Sequence, residues 1–511
     1  MKEILYIQAG TQANYTGTHF WNTQESYFTY GDEPDSEVCH DVSFREGLNP
    51  KGEATFCPRL LAFDHKANFG ALSPALYGDD SVTEKTGLWP DDPVQYKQEP
   101  ARQSRYQIEM DKLDIDTTDA AAIDVQDVRY WSDFNRLFYH PRTIQRLPDV
   151  PDWEDVEGNW SASRDAFTRF DEDTGLMEGP VRLFLEECET IQGIQLVQDT
   201  ATFGSFINSV LTALRDDFDK VPVLAWPLLS DAAPSGTLDT KRGTRKTIND
   251  ALVLRGLSEL ASINIPVQHP TTWPDEVLHN SRLDANRTHA YHTSAILSAH
   301  IETATLPLRS NGAKDVISSF VRSPITSPFA ELDGIFPSMG TLDLERQIYS
   351  LSASKNNSLP RSVFGRRDVT RGFSLAEIKS YDEWRTDNNF MASTIHAGAY
   401  PLPTSFPTFF RPETGGDPDV SNPTLSLYRP PSTKVLSSIT TSSGSARMLG
   451  EYARFVQDCK RRKMPVGTTG LDGDEMGELE NDLWTLCDNA GGEEGYGGET
   501  ETAEEYGEDE E

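Results

Sequence analysis

A doubly wound α/β fold is the class this 511-residue sequence predicts. Three observations carry it. Short apolar runs bounded by turn residues recur at Ile4 to Ile7, Leu60 to Phe63, Ile194 to Val197 and Val221 to Trp226, the signature of strands buried on both faces of a parallel sheet. Helical patterns alternate with them, as crossover units require. The length, at roughly 150 residues per domain, allows two or three domains with a sizeable core.

Taken in order, Ile4 to Ile7 runs into the turn QAGTQANYTG, which opens a helix. Leu60 to Phe63 leads into Asp64 to Phe69. After Ile194 to Val197 come Phe206, Ile207, Val210, Leu211, Leu214 and Phe218, spaced three and four apart as one apolar helical stripe. Further helices are predicted at Asn249 to Ala261, near Tyr291 to Thr303, and at Ser445 to Cys459. Tyr77 to Gln103, Leu147 to Trp160 and the proline-rich Thr404 to Pro431 read as irregular surface chain. In such a sheet the ligand crevice lies at the carboxyl ends of the strands, which selects the loops Gln8 to Tyr15, Asp64 to Phe69, Gln198 to Phe206 and Pro227 to Arg245.

Composition narrows the function. There are 81 acidic and 46 basic residues, a formal net charge of −35. About half sits in Leu471 to Glu511, which holds 17 acidic residues and no Lys or Arg, leaving −18 for the preceding 470 residues. A protein that binds nucleic acid through a general positive field is excluded on this balance. The uncharged stretch from Asn388 to Phe410 is broken by Pro401, Pro403 and Pro407 and reads as loop, not membrane helix. Five cysteines without a CxxC pair argue for a reducing compartment, and MKEILYIQAG reads as the start of the fold in the cytosol rather than a targeting segment. The tail from Leu471 is expected to be disordered, except that Leu479, Leu483, Trp484 and Leu486 could dock as a short amphipathic turn.

No GxxxxGK[ST], GxGxxG, GxSxG or HExxH string occurs. The turn after the first strand could cradle a phosphate on its amides and helix terminus, or simply join strand to helix. DTATFGS offers one glycine, Gly204, where close phosphate approach normally takes several. His289, His292 and His300 lack a matching Cys or carboxylate and read as ordinary helix histidines, with no metal expected. Lys241, Arg242, Arg245 and Lys246 read as a basic loop; Lys460 to Lys463 end a helix, where cations suit its dipole.

KEILYIQAGTQANYTGTHFW resembles the opening of tubulin, with Asn14, Gly17, Phe20 and Trp21 in place. PRLLAFDHKANFGAL, YWSDFNRLFYHPRTIQRL, CETIQGIQLVQDTATFGS and INDALVLRGLSELASINI resemble its successive nucleotide loops, and YHTSAILSAHIETATLPLR its core helix. The likeness covers roughly residues 1 to 310, and SSITTSSGSARMLGEYARFVQDC is similar to a C-terminal-domain helix. Extra chain between Tyr77 and Tyr130, WSDFNRLFYHPR and PLPTSFPTFF identify the chain as a member of the Misato family of tubulin-like proteins. The resemblance implies a tubulin-like nucleotide-type domain over 1–288, a core helix over 289–305, a second α+β domain with C-terminal helices over 306–465, and an acidic disordered tail over 466–511.

It also implies a residual nucleotide pocket at Gly10, Asn14, Asp64, Gly204, Ser205 and Tyr291, with weak GTP binding at most. The departures matter more. A phosphate-facing Gln becomes Thr11, the acid of the second loop becomes Lys66, and GGGTGSG shrinks to TATFGSF. The base-reading Asn positions fall at Ala295 and near His269. The loop that activates GTP in a neighbouring subunit reads Gly312, Asp315 and Ile317, and an isoleucine can neither orient water nor accept a proton. Each such loss typically costs about 10²-fold or more in rate, so no enzyme is expected. The family implies a role in mitochondrial distribution, morphology and inheritance of mitochondrial DNA, at the cytosolic face of the organelle and in the cytoplasm, with cytoskeletal or mitochondrial-surface protein partners. The alternatives are a GTP-binding, self-assembling filament protein and a cofactor of cytoskeletal assembly whose acidic tail attracts basic partners.

Overall fold

Alternate residues of the first strand serve two cores. In β1 (Glu3–Ala9), Ile4 and Tyr6 pack against Phe20 and Trp21, while Leu5 and Ile7 face the opposite layer with Phe206 and Ile207. That is why the run is apolar without alternation. The computed structural model describes residues 2–29, 36–48, 54–72, 102–115, 125–149, 159–234, 240–312, 315–320, 327–337, 343–353, 361–388, 390–410 and 431–491. The segment from Tyr77 to Gln103 falls almost wholly outside them, and that from Leu147 to Trp160 largely so.

β1 is joined by β2 (Leu60–His65), β3 (Ile144–Leu147), β4 (Ile191–Asp199), β5 (Val223–Leu228) and β6 (Ile263–Asn264) in the order β3-β2-β1-β4-β5-β6, all parallel. The order reverses between β1 and β4, so the crevice opens there. Helices cover both faces. α1 (Thr11–Glu25) and α2 (Arg105–Ile115) supply one layer; α3 (Trp160–Thr174) and α4 (Thr200–Asp217) supply the other. α5 (Lys241–Leu260) packs on α4. The central helix α6 (Ala290–Thr305) is buried at every position from Tyr291 to Thr305.

Beyond α6, the strands β7 (Glu331–Ile335), β8 (Tyr349–Ser350), β9 (Val363–Arg371), β10 (Met391–Ala397) and β11 (Val435–Ser442) form a mixed sheet in the order β8-β7-β11-β9-β10. α7 (Leu375–Asp387) connects β9 to β10 and starts with a capping box from Ser374 and Glu377. α8 (Ser443–Arg461) and α9 (Gly473–Asn489) pack against each other and onto α5. Among the described residues no helix is long and apolar enough to cross a membrane.

Three expectations are corrected. The basic cluster at Lys241, Arg242, Arg245 and Lys246 is not a loop but the first turns of α5, begun by Thr240, whose Oγ1 accepts from the Gly243 amide at 3.2 Å. Thr404 to Phe410 is not surface chain: Ser405, Phe406 and Phe409 are buried, and residues 411–430 lie outside the description. The acidic segment 466–511 is not disordered throughout, because α9 buries Met476, Leu479, Leu483 and Cys487 in a common core with Leu449, Tyr452 and Val456. An Asp472–Glu475 capping box starts α9, and Asp474 and Glu475 sit favourably in its first turn. Trp484 and Leu486 are half-buried against the same core, and residues 492–511 lie outside the description.

Candidate functional site

At the β1–β4 switch point, the chain leaves β1 through Gly10, whose φ of 104° suits a residue without Cβ. A Cβ at this position would also fall 2.5 Å from Asp199 Oδ2. The approach is close because the Asp199 carboxylate, at the end of β4, takes the first free amides of α1. Oδ2 accepts from Gln12 N at 2.9 Å and Oδ1 from Ala13 N at 2.8 Å. The anion that suits this helix terminus is supplied by the chain.

Asn14 and Asp64 meet one strand further over. Asn14 Nδ2 donates to Phe63 O at 2.9 Å and to Asp64 Oδ2 at 3.2 Å. Asp64 also accepts from the His65 amide at 2.9 Å and from Asn68 Nδ2 at 2.8 Å, and Asn68 bonds Thr11 Oγ1 at 3.1 Å. Burial pushes the Asp64 carboxyl up, and those hydrogen bonds oppose the shift. Lys66 stays exposed.

Gly204 and Ser205 lie inside α4, which begins at Thr200, earlier than the apolar stripe indicated. A Cβ on Gly204 would fall 2.4 Å from Val253 Cγ2, so this glycine lets α4 and α5 approach. Ser205 Oγ donates to Trp160 O at 2.6 Å. Gly10, Asn14 and Asp64 are therefore brought together, whereas Gly204 and Ser205 serve helix packing.

Tyr291, the residue to which the tubulin resemblance assigns guanine stacking, is only 2% exposed. Phe134 crosses its ring edge-on at 4.9 Å, with the His19 ring at 5.2 Å and the Tyr106 ring at 5.7 Å. Its hydroxyl donates to Ser405 O at 2.7 Å and lies 2.8 Å from the Tyr106 hydroxyl. Asn22 fixes the same corner, donating to Phe134 O and Ser405 Oγ, both at 2.8 Å, and accepting from Arg136 N at 3.0 Å. Ala295 is buried and His269 caps a short turn. Asp315 pairs with Arg367 at 2.8 Å, and Ile317 is buried, 2.8 Å from where a Cβ on Gly193 would lie.

Beside Asp199 lies a cavity of about 170 Å³ lined by Gln12, Thr200, Ser230, Asp231, Lys246 and His269 among others. Lys246 is engaged by Asp231 at 2.6 Å. The residues present do not fit a magnesium-bound guanosine triphosphate. The α1 amides already hold a carboxylate, the oxygens of Asp64 are turned to Asn14, Asn68 and the His65 amide, and the face of Tyr291 is covered. Among the described residues, no group of three His, Cys, Asp or Glu is placed to hold a metal ion.

Behind the cavity, Asp250 of α5 is fully buried and accepts from the Ser230 hydroxyl at 2.6 Å, the Tyr452 hydroxyl at 3.3 Å and Thr200 Oγ1. Burial pushes its carboxyl up to about 7 against those hydrogen bonds. Below pH 4 both folded and unfolded chains carry the proton. Between pH 4 and 7 the unfolded chain loses it first, so stability falls across that window and levels off above, by up to roughly 4 kcal/mol. Asp250→Asn is expected to flatten that decline in urea unfolding at pH 5 to 8; an unchanged pH slope would reject the assignment.

Comparison with known proteins agrees with this architecture. The Misato Segment II tubulin-like domain matches residues 2–112 and the Tubulin domain residues 120–310. Protein dml1 of Aspergillus niger is 31% identical over 471 residues, 88% of this chain and 92% of that protein. The chain belongs to the Misato family of tubulin-like proteins. Protein DML1 of Phaeosphaeria nodorum is 35% identical over 320 residues, 60% of this chain and 59% of that relative, so this match spans less than two thirds of the relative's length. Protein misato of Drosophila melanogaster is 29% identical over 348 residues, 60% of each chain.

The two segments that mark the Misato resemblance, WSDFNRLFYHPR and PLPTSFPTFF, are far apart in sequence and meet at Tyr291 through Phe134 and Ser405. Asp199, Asp250 and Asn22 were not among the expected site residues. Only Asp199 left a signal, as an acidic residue at the strand end where a phosphate loop would begin.

Proposed function

We propose that this member of the Misato family is a non-enzymatic, tubulin-like factor that acts in the distribution of mitochondria and the inheritance of their DNA. It works through contacts with other proteins at the cytosolic face of the organelle and in the cytoplasm. The organelle role rests on the family resemblance. One observation supports the non-enzymatic reading most: three places where a nucleotide would be met are met by the chain itself, at Asp199, Asp64 and Tyr291. A reading as a GTP-dependent filament subunit would need that corner open. Acidic body charge also favours an indirect link to mitochondrial DNA, through the organelle.

Depletion in cells, followed by imaging of mitochondria and counting of mitochondrial DNA foci, tests the role. Collapsed or unevenly partitioned mitochondria with lost foci are expected, and organelle-associated protein should be digested by protease added to intact mitochondria. Normal distribution and focus number after depletion would contradict the reading.

A further inference from the structure

Asp199 occupies the N-cap position of α4, yet its side chain makes no capping bond to its own helix. An aspartate at such a position ordinarily accepts from the amides two or three residues on. Here it turns across the switch point and gives one oxygen to each of two successive amides of the neighbouring helix, Gln12 N at 2.9 Å and Ala13 N at 2.8 Å. Gly10 makes room for it, since a Cβ there would overlap the carboxylate. α1 has no acidic residue in its first turn and no side-chain cap of its own. Its positive end therefore depends on a residue 186 positions away in sequence.

We propose that the Asp199 carboxylate is an intramolecular replacement for a bound phosphate, which ties the ends of β1 and β4 together without any ligand. A carboxylate has the charge and the paired acceptor oxygens to satisfy two adjacent amides, and unlike a ligand it is always present. It also repels any incoming phosphate from the same amides. The end of β1 and the end of β4 are thereby joined by atoms of the chain itself. A merely structural cap and a phosphate replacement differ in one respect: only the second leaves, when removed, a cradle that a phosphate fills.

Thermal unfolding of the full-length protein, with magnesium and millimolar pyrophosphate or GTP, tests this. Wild type should show no shift with either anion. Asp199→Ala should melt several degrees lower, because it orphans two amides at a helix terminus, and pyrophosphate should restore a saturable part of the loss, as binding to the folded state alone requires. Asp199→Asn, which keeps one acceptor oxygen, should lie between the two. A saturable stabilisation of wild type by pyrophosphate or GTP would overturn the proposal, and so would an Asp199→Ala protein that melts like wild type or ignores pyrophosphate. If Asp199→Ala fails to fold, the wild-type and Asp199→Asn titrations still decide it, the latter by gaining or lacking pyrophosphate stabilisation. Failure here would leave the organelle role standing, since that role is read from depleted cells.

Discussion

Glu302→Ala is expected to lower the unfolding free energy by about 3–5 kcal/mol, the usual cost of removing one partner from a buried ion pair. Glu302 on α6 is fully buried, and so are Arg309 and Arg371. Its Oε1 accepts from Gln24 Nε2 at 3.2 Å, Tyr27 OH at 3.0 Å and Arg309 Nη2 at 3.2 Å, and its Oε2 from Arg371 Nη1 at 3.0 Å. Arg371 reaches on to the Tyr27 hydroxyl at 2.6 Å, Gly398 O at 2.8 Å and Glu37 at 3.2 Å. One carboxylate thus joins the end of α1, the central helix and β9 of the second sheet. Without it, two guanidinium groups remain buried with their main counter-charge gone. Glu302→Gln keeps the shape and one acceptor and should fall between. Glu383→Ala, which breaks an exposed pair with Lys379 at 3.8 Å, should cost less than about 1 kcal/mol. Urea midpoints of the three variants check the order; equal midpoints for Glu302→Ala and wild type would refute the network's role.

The second large effect concerns the C-terminus. A chain ending at residue 470 should be several kcal/mol less stable than one ending at 491, because it loses the buried side chains Met476, Leu479, Leu483 and Cys487. Burying one Leu contributes about 1.5–3 kcal/mol, and the loss also uncovers Leu449, Tyr452 and Val456. Polar ties go too: Lys460 to Glu480 at 3.0 Å, Arg454 over the Trp484 ring at 5.9 Å and Cys487 Sγ to Ala446 O at 3.1 Å. Calorimetry of the two truncations measures the difference. Matching melting temperatures would mean that α9 adds nothing to the core. The same pair of boundaries separates structure from charge: any role of the acidic terminus in capturing partners must be tested by cutting after 491, since a cut at 471 removes a packed helix.

How much was legible in the sequence follows from what each element buries. β1, β2, β4 and β5 are buried on both faces and read directly as apolar runs. β9 did not, because VFGRRDVTR buries charge rather than hydrocarbon. Arg366 pairs with Asp368 at 3.2 Å and Arg371 with Glu302, so its alternation shows only when the partners are known. The start of α5 was hidden by cations in its first turns, against the usual dipole preference. Prolines in PLPTSFPTFF suggested surface, yet Ser405 accepts from the Tyr291 hydroxyl, and the buried Phe406 and Phe409 rings pack against His19 and His292. Within the candidate site, Gly10, Asn14 and Asp64 were found because they keep the tubulin pattern in the segments that follow β1 and β2. Asp199 and Asn22 act across 186 and 112 or more residues, a distance that spacing cannot reveal.

In this Misato-family protein, Asp199 holds the first amides of α1, and Phe134 and Ser405 hold Tyr291. A structure of the protein determined in excess magnesium and GTP would show whether these contacts persist. The Gln12 and Ala13 amides should remain on Asp199, with Tyr291 still covered by Phe134 and held to Ser405. Guanine stacked on Tyr291, with phosphate oxygens on those two amides, would contradict it.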